Sequence, residues 1–133
     1  MIPGGRAPEA LRKCYKVSPA EAFESERCDS EIFSTTHFHI DLYGQLFTGF
    51  CAGLVAGTVD NLHPEITAES FPILNRLVEK GPFGLMEMAS KDYGFTPRKD
   101  GYASKCDLCY EVRKHLHKRV DLHELRPGDY YRC

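Results

Sequence analysis

The chain has 133 residues, 42% of them hydrophobic and 27% charged, with a formal net charge of -2. That length gives one domain whose core needs no staples, and the composition is that of an ordinary globular protein. The charge balance offers no basis for a nucleic-acid or anionic-membrane partner, and no apolar run approaches a membrane span.

The stretch from Met1 to Pro8 lacks an apolar h-region, so no secretory signal is expected and the cytoplasm is the default compartment. Residues 1–20 hold three prolines and the pair Gly4-Gly5. They read as an irregular lead-in, extending to residue 27, that starts abruptly as though a domain preceded it. Residues 21–28 fit either a short helical turn or a linker.

Thr36 to Tyr43 alternates with the period of a half-buried strand, with Phe38, Ile40 and Leu42 on one face and His37, His39, Asp41 and Tyr43 on the other. Tyr43-Gly44-Gln45 reads as a tight turn, and Leu46-Phe47-Thr48 as the returning strand of a hairpin. Gly49-Phe50-Cys51-Ala52-Gly53 follows, its small residues allowing close backbone approach, and residues 54–62 read as a loop around a short extended piece. Ile73, Leu74, Leu77 and Val78 then form a helical stripe, with Pro72 in the first turn and Gly81-Pro82 as a stop. A second helix is expected from Phe83 to about Tyr93, ending at Gly94.

A polar loop leads to Ser104-Lys105-Cys106-Asp107-Leu108-Cys109, where the spacing predicts a helix start with Ser104 as cap and Asp107 completing a capping-box pattern. Leu108, Val112, Leu116 and Val120 continue at helical spacing. The basic run Arg113 to Arg119 reads as solvated cations complementing the helix dipole. Residues 121–133 read as a polar tail with a Pro127-Gly128 turn. The class is therefore α+β: a small β-hairpin followed by about three helices.

Six cysteines carry the chemistry: Cys14, Cys28, Cys51, Cys106, Cys109 and Cys133. In a reducing compartment, clustered thiols point to metal or redox chemistry and scattered ones to small buried hydrophobes. Cys106 and Cys109 share one face of a first helical turn, where the dipole favours thiolate, and form half of a four-ligand site. Cys51 at the end of the hairpin arm and Cys28 just before the hairpin are the best candidates for the other half, with Cys14 as a substitute for Cys28. Zinc and iron–sulfur centres both use this donor set. A C-x-x-C opening a helix also suits a thiol oxidoreductase, although that motif belongs directly after a strand. His37 and His39 share a strand face, where polar side chains need no special explanation. They also have the chemistry to bind a metal or to donate near Cys51. Nothing pairs Asp41 and Glu111 as an acid–base couple.

The segments His37 to Gly44, Gly49 to Gly53 and Lys105-Cys106-Asp107-Leu108-Cys109-Tyr110-Glu111-Val112-Arg113-Lys114 resemble the SPASM and twitch auxiliary-cluster domains of radical S-adenosylmethionine (radical SAM) proteins. The resemblance covers roughly residues 28–115 of a domain spanning 28–120, and Arg6-Ala7 resembles the end of the preceding family domain. It implies one auxiliary [4Fe–4S] cluster closing the fold, with Cys28 before the hairpin, Gly44 at its turn, Cys51 after it and Cys106 and Cys109 as the C-x-x-C. It also implies a radical SAM core domain or protein as partner. The chain departs from the pattern in three ways: only Cys133 follows the C-x-x-C, the interval from Gly44 to Cys51 is longer than the usual form, and no C-x-x-x-C-x-x-C triad for a catalytic cluster occurs. The implied role is accessory: structural, electron-transferring or substrate-positioning. The alternative is a structural four-cysteine zinc module mediating protein contacts.

Overall fold

A computed structural model describes residues 7–49 and 51–132. Arg6, Phe50 and Cys133 lie outside the described residues. The architecture is α+β. Helix α1 (Ala7–Leu11) leads through 3-10 turns at Arg12–Cys14 and Ala20–Phe23 to the short α2 (Asp29–Ile32). Strands β1 (Phe38–Ile40), β2 (Gln45–Thr48) and β3 (Gly57–Thr58) form an antiparallel sheet in the order β1-β2-β3. Helices α3 (Pro72–Tyr93) and α4 (Lys105–His117) follow, with a last 3-10 turn at Gly128–Tyr131. Among the described residues no helix is long and apolar enough to cross a membrane.

The hairpin forms where the alternation places it, pairing Phe38 with Thr48, His39 with Phe47 and Ile40 with Leu46. Asp41 builds the turn, its Oδ1 accepting the N–H groups of Tyr43 and Gln45 at 2.9 Å each. Burial differs from the expected one-sided pattern. Leu46 and Phe47 of β2 are buried, whereas Phe38 and Ile40 of β1 are 51% and 44% exposed and Leu42 is fully exposed. β1 is an edge strand, so only its neighbour reaches the core. The short extended piece expected within residues 54–62 is β3, which pairs with β2, and the Ala56 N–H beside it is donated to the Leu46 carbonyl at 2.8 Å.

The core lies between α3 and α4. Ile73, Leu74, Leu77, Leu85 and Ala89 of α3 meet Leu108, Val112 and Leu116 of α4, all essentially without solvent contact. Each large aliphatic side chain buried there contributes about 1.5–3 kcal/mol. α3 is two helices meeting at a kink at Gly81 (φ 65°, ψ -171°), so Gly81-Pro82 ends the first where the sequence places the stop and the second runs on to Tyr93. A Cβ on Gly81 would lie 2.0 Å from the Glu26 carbonyl oxygen. The break is thus where the strand of chain leading to Cys28 seats on α3. The run ends at Gly94 in the left-handed region (φ 68°), whose N–H is donated to the Ala89 carbonyl.

The last residues do not behave as a solvated polar tail. Glu124, Leu125 and Tyr131 are fully buried. The reason is a missing cap. Phe71, at the N-cap of α3, offers no side-chain acceptor, and the Glu124 carboxylate supplies it from far along the chain. It accepts the N–H groups of Ile73 (3.0 Å) and Leu74 (2.7 Å).

Burial pushes the Glu124 carboxyl up from 4.5 to about 7, while the two N–H bonds pull it down. A folded-state pKa above the unfolded one means the native protein keeps the proton longer, so stability falls as pH rises through that window. Compared with Glu124→Gln, which has no such proton, the wild-type protein should lose about 3 kcal/mol more stability between pH 4.5 and pH 7. Urea unfolding of both proteins at the two pH values measures it, and parallel pH profiles would contradict it.

Candidate metal centre

Three separate segments bring cysteines together. Cys28 is the N-cap residue of α2, its carbonyl accepting the Ile32 N–H at 2.9 Å. Cys51 sits in a turn after β2, its N–H donated to the Thr48 carbonyl and its own carbonyl accepting from Leu54, each at 3.1 Å. Cys106 and Cys109 occupy the first turn of α4, where Ser104 caps as its spacing predicts, accepting the Asp107 N–H at 3.1 Å. Asp107 does not reach back to the Ser104 N–H. Its Oδ2 accepts instead from the Ala103 N–H (2.9 Å) and from Arg98 (2.7 Å), and Arg98 also covers the Tyr102 ring at 4.4 Å. That buried ion pair fixes the loop entering α4 and therefore the direction of both sulfurs.

All four are free thiols, Cys28 and Cys109 buried and Cys51 and Cys106 half-buried. The electrostatic field of each reaches the other three. Cys28 responds to Cys109, Cys51 and Cys106, Cys106 responds to Cys109 and Cys51, and Cys51 responds to Cys109. Cys14 is exposed on its 3-10 turn, outside this buried group. The four thiols share one locale without closing on a point: among the described residues no three His, Cys, Asp or Glu side chains gather around a single ion. Neutral thiols have nothing to draw them inward.

The helix dipole was expected to favour thiolate, and burial acts against it at Cys106. Burial, then the charges of Cys109 and Cys51, push the Cys106 thiol up to about 12. Burial pushes Cys51 up to about 11 against the pull of Arg113, and Cys28 rises further, by burial and then by Cys109. Desolvation and mutual repulsion outweigh half a dipole charge. A cation at the centre reverses both terms, since thiolates are the metal-binding form.

Two basic residues border the thiols. Arg113, 4% exposed, donates from one terminal nitrogen to the Ala52 carbonyl (3.0 Å) and to the Tyr131 hydroxyl (2.8 Å), and the Tyr131 hydroxyl donates to the Gly53 carbonyl. Its Nε has no hydrogen-bond partner, and among the described residues no carboxylate pairs with it. Burial opposes its charge, yet the anionic forms of Tyr131, Cys109, Tyr130 and Cys51 would hold it charged. Lys105 donates to the Arg27 carbonyl (2.6 Å) and to Glu31 (3.0 Å), within the field of Cys28 and Cys106. The basic run is therefore not one solvated face: Arg113 is buried while Lys118 and Arg119 are exposed. Its position four residues after Cys109 was the available signal, because i and i+4 share a helix face.

The histidines of the same run also have packing roles. His115 Nε2 lies 2.8 Å from the Tyr93 carbonyl and packs edge-on against Phe95, while His117 stacks on Tyr131. His39 on β1 and His37 just before it are both exposed. Comparison of the chain with protein-family models, with curated proteins and with solved structures finds no match.

A buried guanidinium with no carboxylate partner among the described residues is a liability beside neutral thiols and an asset beside an anionic centre. Arg113→Met should therefore destabilise the metal-loaded protein by about 3–5 kcal/mol more than the metal-free protein. Chemical unfolding of both forms under anaerobic conditions measures the difference. Equal losses in the two forms would show that Arg113 serves only its carbonyl and phenol partners.

Proposed function

We propose that the chain is an auxiliary [4Fe–4S]-binding domain of the radical SAM type, with Cys28, Cys51, Cys106 and Cys109 as ligands. The carrying observation is the guanidinium of Arg113, without a carboxylate partner among the described residues and buried beside four free thiols that share one field. Four thiolates around a metal centre carry net negative charge, and Arg113 and Lys105 stand where that charge would be offset. When bound, such a cluster supplies a one-electron centre, and four cysteine ligands leave no iron open to substrate. The accessory role follows from the missing C-x-x-x-C-x-x-C triad. The domain acts beside a radical SAM core domain or protein, as structural support, electron relay or positioning element. A reducing compartment, with the cytoplasm as default, keeps the thiols available.

Zinc is the second reading, favoured by the same all-thiol donor set, which suits a closed tetrahedral structural site. A thiol oxidoreductase is the weakest, because a redox C-x-x-C works through a lowered thiol pKa and burial raises that of Cys106.

The test is anaerobic purification with iron, acid-labile sulfide and zinc determination. The wild-type chain should carry about four iron and four sulfide. Ser at position 28, 51, 106 or 109 should abolish this content, and Cys14→Ser should leave it intact. Stoichiometric zinc without sulfide would favour the structural module. Full iron content in Cys106→Ser and Cys109→Ser would overturn the ligand set.

A further inference from the structure

The second cluster of metal-ligating side chains lies at the start of β1. His37 immediately precedes the strand and His39 lies within it, and their side chains meet. Their Nε2 atoms are 3.0 Å apart, their ring centres 4.7 Å apart, and the ring planes stand at 82°. The nitrogens are the near ends of the two rings and lie within hydrogen-bond distance, the donor being whichever ring carries the Nε2 proton. An ion that takes the place of that proton would meet both nitrogens at once.

The same geometry is good for a metal. With metal–nitrogen bonds of about 2.0–2.1 Å, nitrogens 3.0 Å apart subtend roughly 90–95° at the ion. That is the angle between adjacent ligands in octahedral or square-planar coordination, and it is narrower than the tetrahedral angle. We propose that His37 and His39 form a bidentate site for a divalent late transition-metal ion that accepts imidazole in adjacent positions, nickel and copper before zinc. The backbone at His39 is fixed by β1–β2 pairing and that at His37 by its carbonyl, which accepts the Gly49 N–H at 3.0 Å, so the chelate is held in place before the ion arrives. Asp41 builds the turn through its Oδ1, and among the described residues no third His, Cys, Asp or Glu joins the pair. The remaining positions open to solvent, since both rings are exposed. The site is therefore exchangeable, and water or a group from another molecule completes it. It is independent of the thiol centre, being built from different residues and a different donor type.

The probe is Ni²⁺ alone, titrated into the full chain purified anaerobically. Calorimetry should give saturable one-to-one binding, and the paramagnetic ion should broaden the imidazole proton signals of His37 and His39. His37→Gln or His39→Gln should weaken binding by about a hundredfold, because the second imidazole then no longer binds intramolecularly. His63→Gln and His123→Gln should leave it unchanged. Matching far-UV circular dichroism across the set checks that these exposed substitutions keep the fold. The proposal is overturned by absence of saturable binding or by unchanged affinity in the His37 and His39 variants. Thiolate-to-nickel charge-transfer absorption accompanying the binding would equally overturn it, because the ion would then sit on cysteines.

Discussion

A guanidinium taken out of water loses several kcal/mol of hydration that only strong partners restore. Arg113 has two carbonyl- and phenol-type partners and no carboxylate among the described residues. Much of the structure can be understood as the housing for that charge. Ala52 and Gly53 present their carbonyls to the Arg113–Tyr131 pair, and Gly53 does so at φ 77°, where an added Cβ would strike the Tyr130 ring at 2.1 Å. Tyr131 is held in turn by the closing 3-10 turn and by stacking on His117. The turn carrying Cys51, the helix carrying Cys109 and the chain's last segment are therefore joined through one side chain. Neutral thiols beside it leave the charge uncompensated. An anionic centre completes it.

The other two anchors of the site work by packing and by ion pairing. Cys28 reaches the group because Gly81 lacks a side chain, which lets the Glu26 carbonyl lie against the break in α3. Lys105 then ties that segment to the start of α4 through the Arg27 carbonyl and Glu31. Cys106 and Cys109 are aimed by the Ser104 cap and by the Asp107–Arg98 pair. Fold and site thus constrain each other. The segments bearing Cys28 and Cys51 join the apolar core between α3 and α4 through Ile32, Leu54 and Ala56.

Local signals in the sequence carried what local physics decides. The capped start of α4, its Leu108-Val112-Leu116 stripe, the Gly44 turn and the Gly94 stop each depend on residues within a turn of one another, and each forms as expected. What the sequence hid depends on distant partners. Glu124 caps a helix some fifty positions away, which no local pattern encodes. β1 alternates as a half-buried strand does, but its exposure follows from its edge position in the sheet. Arg113 is one cation in a basic run until tertiary packing buries it apart from Lys118 and Arg119. The thiolate expected from the helix dipole failed for the same reason: desolvation is set by the whole fold, whereas the dipole is set by one turn. The cysteine spacing pointed to the residues that gather but could not give their protonation state.

The central claim is that Cys28, Cys51, Cys106 and Cys109 share one all-thiolate centre. X-ray absorption at the edge of the metal that copurifies anaerobically tests it most directly, because the first coordination shell reports donor type and number. The account predicts sulfur alone in that shell, at about 2.3 Å, with an additional metal–metal shell if the centre is an iron–sulfur cluster. Nitrogen or oxygen donors in the first shell would contradict it, because the four thiols would then not be the ligand set.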